Sequence, residues 1–181
     1  DSSTRGPTLE MTVAKLRALL DMQIVALSAT VENTDEIAAW LDAACVVSDW
    51  RPVPLKEGVF FDWTVEFSDG TLKELEMGVE PVSSLVAHTV SEGGQCLVFE
   101  STRQNAESCA KRVASATQRA LSDEDKHALS DMAGQVEGTS EVLLVKKLAA
   151  CIRRGSAFHH AGLDAHHRTI VEDGFRAGHI K

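Results

Sequence analysis

Three short polar clusters carry the residue types that bind anions or support proton transfer. They are Ser28-Ala29-Thr30, Ser101-Thr102-Arg103 and His159-His160-Ala161-Gly162. Small hydroxyls, backbone N–H groups and an arginine suit phosphate oxygens, which need donors without a shaped pocket. The same hydroxyls also serve as ordinary helix caps, so a single cluster says little. The pairs His159-His160 and His166-His167 raise the question of a metal, since imidazole is a common zinc ligand. Neighbours on a strand point to opposite faces, so His159 and His160 do not easily reach one ion. His166 and His167 read as solvated helix residues. Cys45, Cys96, Cys109 and Cys151 lack C-x-x-C spacing and read as free buried thiols in a reducing setting. No G-x-S-x-G elbow, G-x-G-x-x-G loop or G-x-x-x-x-G-K-[ST] loop is present, so the sequence contains no complete catalytic site.

The elements that position these clusters alternate. Leu9, Val13, Leu16 and Leu20 recur on one face of a first helix that starts near Pro7. Residues 23–27 then read as a short apolar strand, with Ser28 to Thr30 as its polar exit. Asn33 or Thr34 caps a second helix that turns Ile37, Trp40 and Leu41 inward. Residues 45–48 read as a strand, and the two prolines of Trp50-Arg51-Pro52-Val53-Pro54-Leu55 force extended backbone. A domain boundary is placed there, giving domains at 1–48 and 49–181. Residues 60–67 and 71–77 read as a hairpin joined through the turn Ser68-Asp69-Gly70. A helix from Pro81 ends at Gly93-Gly94. Residues 96–99 follow as a continuous apolar strand of the kind buried in a parallel sheet, then a helix over 104–116. Ser122 opens another helix, a third spans 140–153, residues 156–160 form a strand, and Asp164 caps a helix to Arg176. In such a parallel α/β layout, ligands bind beyond the carboxyl ends of the strands, where all three clusters fall.

Composition narrows the classes. With 181 residues, 44% hydrophobic and 25% charged, the chain has the makeup of a globular protein, which excludes collagen, coiled coil and wholesale disorder. Its longest apolar run, over residues 22–29, is far too short to cross a membrane. Eighteen Lys and Arg against 27 Asp and Glu give a net charge of -9, so a nucleic acid would be held by local features and not by overall field. Asp1 follows no basic or apolar leader, which reads as cytoplasmic. The sequence opens just before a helix and stops after His179-Ile180-Lys181, where a further strand is due, and it reads as an internal fragment.

Taken in order, Arg5-Gly6-Pro7-Thr8-Leu9-Glu10, Leu27-Ser28-Ala29-Thr30, Trp50 to Leu55, Leu97-Val98-Phe99 and His159-His160-Ala161-Gly162-Leu163 resemble a superfamily 2 helicase. More narrowly, the chain is similar to the archaeal repair helicases of the Ski-like branch, relatives of the polymerase-theta helicase domain. The resemblance runs over essentially the whole chain. Ser28-Ala29-Thr30 matches helicase motif III, residues 97–103 motif IV and residues 158–163 motif IVa.

The resemblance implies an α/β fold of RecA-like type, a parallel sheet flanked by helices. Residues 1–48 would close the first RecA-like domain, and residues 49–181 would form a second, truncated before motif V. It implies ATP and Mg2+ held by the full-length parent through residues outside this sequence, with no cofactor in the fragment. The partner implied is single-stranded or forked DNA, unwound in repair or restart. Ser28, Ala29 and Thr30 would couple the two domains. Ser101, Thr102, Arg103, His160, Ala161, Gly162 and Leu163 would hold the nucleic-acid backbone. Glu100 departs from the pattern by placing a carboxylate beside a phosphate site. An RNA helicase of the same branch and a non-catalytic α/β scaffold are the alternative readings.

Overall fold

The computed structural model describes residues 5–28, 31–48, 50–76, 80–139 and 142–181, with Arg5 described in its backbone only. It divides into two compact units, Asp1–Leu55 and Lys56–Lys181. The first contains α1 (Arg5–Leu19) and α2 (Thr34–Leu41). None of its described residues is buried. Asn33 precedes α2 without a side-chain capping bond, and the helix ends on Asp42 in the left-handed region at φ 51°, a conformation that Asp tolerates better than most residues. The Asp42 N–H donates to Ala39 O and the Ala43 N–H to Ala38 O, which closes the last turn. Residues 23–27 and 45–48, expected as strands, have no ladder partner among the described residues and are not strands.

The second unit opens with a three-stranded antiparallel meander, β1 (Gly58–Phe61), β2 (Thr64–Phe67) and β3 (Leu72–Glu74), in the order β1-β2-β3. Here the expected strand over 60–67 is corrected. It is cut by a tight turn at Asp62 and Trp63, both left-handed at φ 46° and 59°, the geometry that a two-residue hairpin requires. Asp62 suits such a turn, but Trp63 takes the place where glycine usually marks it. The expected Asp-Gly turn does form. Gly70 adopts φ 80°, and Asp69 Oδ1 accepts the Thr71 N–H at 2.9 Å.

Five helices follow: α3 (Pro81–Ser91), α4 (Arg103–Arg119), α5 (Asp123–Glu137), α6 (Leu143–Ile152) and α7 (Ala165–Arg176). Helix α4 repeats buried residues at Cys109, Ala110, Val113, Ala114 and Thr117, a spacing of three and four that lays them along one side. Cys109 and Val113 pack on Val86 and Val90 of α3. Ala110 joins the main core with Leu129, Ala133 and Val136 of α5, Leu148 and Ile152 of α6, and Ile170 and Val171 of α7.

The turn after α6 is tied down by hydrogen bonds from α4 and to it. The Thr117 hydroxyl donates to Arg154 O at 2.7 Å, and the Ser156 hydroxyl donates to Ala110 O at 2.9 Å. Between them Gly155 sits at φ 79°, where a Cβ would meet Leu121 Cδ2 at 2.7 Å. Only glycine fits there.

The architecture is therefore mixed α/β, but the described strands pair antiparallel and a parallel sheet is not formed by them. The expected strands over 96–99 and 156–160 have no regular secondary structure and lie outside any ladder. A strand exists through its neighbours, and these segments have no described neighbour to pair with over their length.

Candidate nucleic-acid interface

Thr102 is the N-cap of α4, extended at φ -137° and ψ 157°, and its hydroxyl accepts the Asn105 N–H at 3.1 Å. Asn105 Nδ2 in turn donates to Ser101 Oγ at 3.3 Å. The capping bond satisfies one of the free N–H groups of the first turn, and the others face outward with the positive end of the helix dipole. Arg103 is the first helical residue and is exposed. Its Nη1 stands 3.5 Å from where a Cβ on Gly162 would be. The second and third polar clusters, 59 positions apart from Arg103 to Gly162, are thus adjacent in space.

The turn over residues 160–163 closes on itself. The Leu163 N–H donates to His160 O at 3.0 Å, and the Gly162 N–H donates to His160 Nδ1 at 3.1 Å. Nδ1 is therefore the acceptor nitrogen, and the ring proton sits on Nε2. The His160 ring stacks on Phe158 with centroids 5.4 Å apart and planes 12° from parallel. Its side chain is only 9% exposed, and its Nε2 has no hydrogen-bond partner. The nearest acid, Glu107 Oε1, is 3.7 Å away, too long for a hydrogen bond. Glu107 is itself held by Lys147 at 2.8 Å. Leu163 is buried and roots the turn in the core, while Ala161 and Gly162 are exposed. The result is a shallow site with a helix N-terminus, an arginine and a rigid histidine turn, suited to an anion that arrives from solvent.

Glu107 was missed in the sequence, although it lies one helical turn after Arg103 and so shares its face. Glu100, the carboxylate that sits awkwardly beside a phosphate site, is turned along α4 with Oε1 3.8 Å from Arg112 Nη2. Burial raises the Cys109 thiol above its ordinary pKa, and a hydrogen bond with Glu100 raises it further. The carboxylate is engaged away from the helix start.

His159 faces the opposite way from His160, with Nε2 3.0 Å from Glu172 Oε1 on α7. Among the described residues no group of three His, Cys, Asp or Glu is placed to hold a metal ion. The expectation that both His166 and His167 are solvated is corrected. His166 is exposed, but His167 is 2% exposed. Its Nδ1 lies 3.0 Å from Asp164 and its Nε2 lies 2.6 Å from Thr139 Oγ1. That hydroxyl donates its proton to Val136 O at 2.7 Å, so the Asp-His-Thr line braces α5 against α7 and offers no free nucleophile. Its signal was present in the stripe His167, Ile170, Val171 and Gly174. Of the three residues expected to match motif III, Ser28 is exposed in the first unit, while Ala29 and Thr30 lie outside the described residues.

No protein-family profile matches the chain. Against curated proteins it is similar along its whole length to the ATP-dependent DNA helicase Hel308 of Methanocella arvoryzae, with 48% identity over 182 residues that make up 25% of that protein. The Hel308 of Methanocaldococcus jannaschii is 43% identical over 184 residues, 15% of its length. That of Pyrobaculum calidifontis is 44% identical over 179 residues, covering 98% of this chain and 25% of its own length. Along essentially its whole length the chain is thus similar to one segment of Hel308 DNA helicases. It spans a quarter or less of the length of these relatives. Neither a G-x-x-x-x-G-K-[ST] loop nor a G-x-G-x-x-G loop occurs in this stretch of sequence.

Proposed function

We propose that the chain is part of an ATP-dependent helicase that translocates on single-stranded DNA and unwinds duplex or forked DNA. Residues 1–48 are the end of a first RecA-like domain and residues 49–181 the greater part of a second. ATP and Mg2+ are bound by the full-length protein through residues beyond this sequence, and no step of ATP hydrolysis is assigned to the residues described here. The observation that carries the reading is the meeting of Arg103 and the His160 to Gly162 turn. Ser101, Thr102 and Arg103 with His160, Ala161, Gly162 and Leu163 hold backbone phosphates without reading bases. Ser28, Ala29 and Thr30 relay closure of one domain to the other. An overall charge of -9 is compatible with this role, because a motor that releases at each step needs only a narrow row of donors.

The test is Arg103→Ala in the full-length helicase. Affinity for single-stranded DNA falls similarly for unrelated sequences, and the log-log salt slope becomes shallower by roughly 0.7, the counterion-release value for one phosphate on a single strand. Ser101→Ala lowers affinity with little change in slope. An Arg103→Ala protein with unchanged affinity and slope removes this cluster from the interface. Stronger stimulation of ATP hydrolysis by RNA than by DNA reassigns the strand that is bound.

A further inference from the structure

Arg103 and Glu107 stand four residues apart on α4 and so share a face. Side chains at that spacing reach one another, and a carboxylate seated on Arg103 would occupy the donors that a phosphate needs. Yet among the described residues Arg103 makes no ion pair and no side-chain hydrogen bond. Its guanidinium lies beside Gly162 instead.

Glu107 is drawn the other way. Its Oε2 accepts a hydrogen bond from Lys147 Nζ of α6 at 2.8 Å, and its Oε1 lies 3.7 Å from His160 Nε2. The Glu107 side chain is 19% exposed and that of Lys147 is 52% exposed, so the acid is largely enclosed and its cation reaches in from the rim. Glu100, the other acid near this helix start, is likewise drawn off, towards Arg112 at 3.8 Å. Both acids are thus taken up by cations other than Arg103. A largely enclosed carboxylate without a partner is costly, and it turns to whatever donor it can reach. With Lys147 gone, Glu107 would have two such donors at the anion site. One is the Arg103 guanidinium, one turn back along the helix. The other is the Nε2–H of His160, which has no hydrogen-bond partner. Capture of either removes a donor from the strand.

We propose, on the reading of this cluster as a nucleic-acid interface, that Lys147 is a positioning residue of the anion site: it holds Glu107 on the α6 side and so keeps Arg103 unpaired for a backbone phosphate. Lys147 touches no phosphate itself, because its ammonium is engaged by Glu107. Glu107 is a competitor for the arginine built into the site, and the grip on the strand is set by which cation Glu107 holds. An ion pair with so exposed a lysine contributes little to folding. Its effect is felt in binding.

The experiment measures single-stranded DNA binding by the full-length helicase over a salt series. The variants are Arg103→Ala, Lys147→Met, Lys147→Met with Glu107→Gln, and Lys147→Met with Arg103→Ala. Lys147→Met lowers affinity by about three- to tenfold. It also makes the log-log salt slope shallower by roughly 0.7, as if Arg103 itself had lost its phosphate. Adding Glu107→Gln removes the competing charge and returns affinity and slope towards the parent values. Lys147→Met added to Arg103→Ala weakens binding no further, because both act through one contact. Tm is recorded for every variant. The protein with both Lys147→Met and Glu107→Gln has no ion pair at this place at all, so binding recovered there cannot be recovered stability, and the test stays open if Lys147→Met also loosens the fold. Loss of binding that Glu107→Gln does not recover makes Lys147 a direct phosphate contact and overturns the proposal. So does unchanged binding after Lys147→Met, the result if Lys111, one turn beyond Glu107, takes up the acid instead. In both cases weakened binding by Arg103→Ala leaves the nucleic-acid reading standing. Unchanged binding by Arg103→Ala overturns that reading and this proposal with it.

Discussion

Helices α1 and α4 are of similar length, 15 and 17 residues, yet α4 buries five residues and α1 buries none that is described. The difference is not one of local helix-forming tendency. Helix α4 has α3 and α6 against it, supplied within about one domain's worth of neighbouring chain, and its stripe at Cys109, Ala110, Val113, Ala114 and Thr117 meets both. Helix α1 sets Leu9, Val13 and Leu16 along one side, but among the described residues of its unit nothing buries them, and Leu9 stays 67% exposed. An amphipathic pattern states which side would be buried. Whether burial happens depends on which other elements are at hand.

The contrast is broken or sharpened most strongly by paired truncations. Leu148→Ala empties a fully buried site in α6 and lowers stability by about 3 to 5 kcal/mol. Leu9→Ala, on an exposed helix face, changes stability by less than about 0.5 kcal/mol. Urea denaturation of the 181-residue chain measures both, and a loss at Leu9 approaching that at Leu148 would end the comparison.

A smaller effect is expected at Asp125, which joins the start of α5 to the end of the chain. Its carboxylate accepts hydrogen bonds from the Ser122 N–H and from Lys181, and it lies 3.0 Å from His179 Nδ1. Burial alone would raise its pKa, but the bonds from His179, Lys181 and Ser122 outweigh burial and hold it far below the usual carboxylate range. A lowered folded value means that the stabilisation is fully present above the unfolded value of about 3.9 and is lost as pH falls below it. Asp125→Asn keeps a capping acceptor and removes the charge, so it costs about 2 to 4 kcal/mol at neutral pH. The gap from the parent chain closes as pH is lowered from about 5 towards 2. Denaturation midpoints across that range check the trend, and a gap independent of pH would assign the loss to shape alone.

The smallest effect separates the caps of the two units. Thr102 makes a side-chain capping bond and Asn33 does not. Thr102→Ala lowers stability by about 0.5 to 2 kcal/mol. Asn33→Ala, which loses only an exposed contact to Glu36, stays within about 0.5 kcal/mol. Thermal melts of the two variants side by side decide whether the difference is real.

What the sequence made legible follows the range of the interactions involved. Helix starts written in local side-chain chemistry were readable. Ser122 forms a reciprocal capping box with Asp125, and Asp164 accepts the His167 N–H at the start of α7. The Asp-Gly turn was readable for the same reason. The turn at Asp62 and Trp63 was not, because Trp63 stands where such a left-handed turn ordinarily takes glycine or asparagine. Residues 96–99 and 156–160 had the composition of strands, but a strand is a relation between segments and their described partners are absent. Within the candidate site, Thr102 and Arg103 could be named from residue type and position. The approach of Arg103 to Gly162, and the ion pair of Glu107 with Lys147, join positions tens of residues apart that no local pattern connects.

The turn over residues 160–163 holds a consequence for the shape of its neighbourhood. Its closing bond takes the Gly162 N–H into the His160 ring, and that ring lies flat on buried Phe158. The loop is thereby keyed to an aromatic plate in the core, so a side chain at 160 with neither a flat ring nor an acceptor loosens the loop and the plate together.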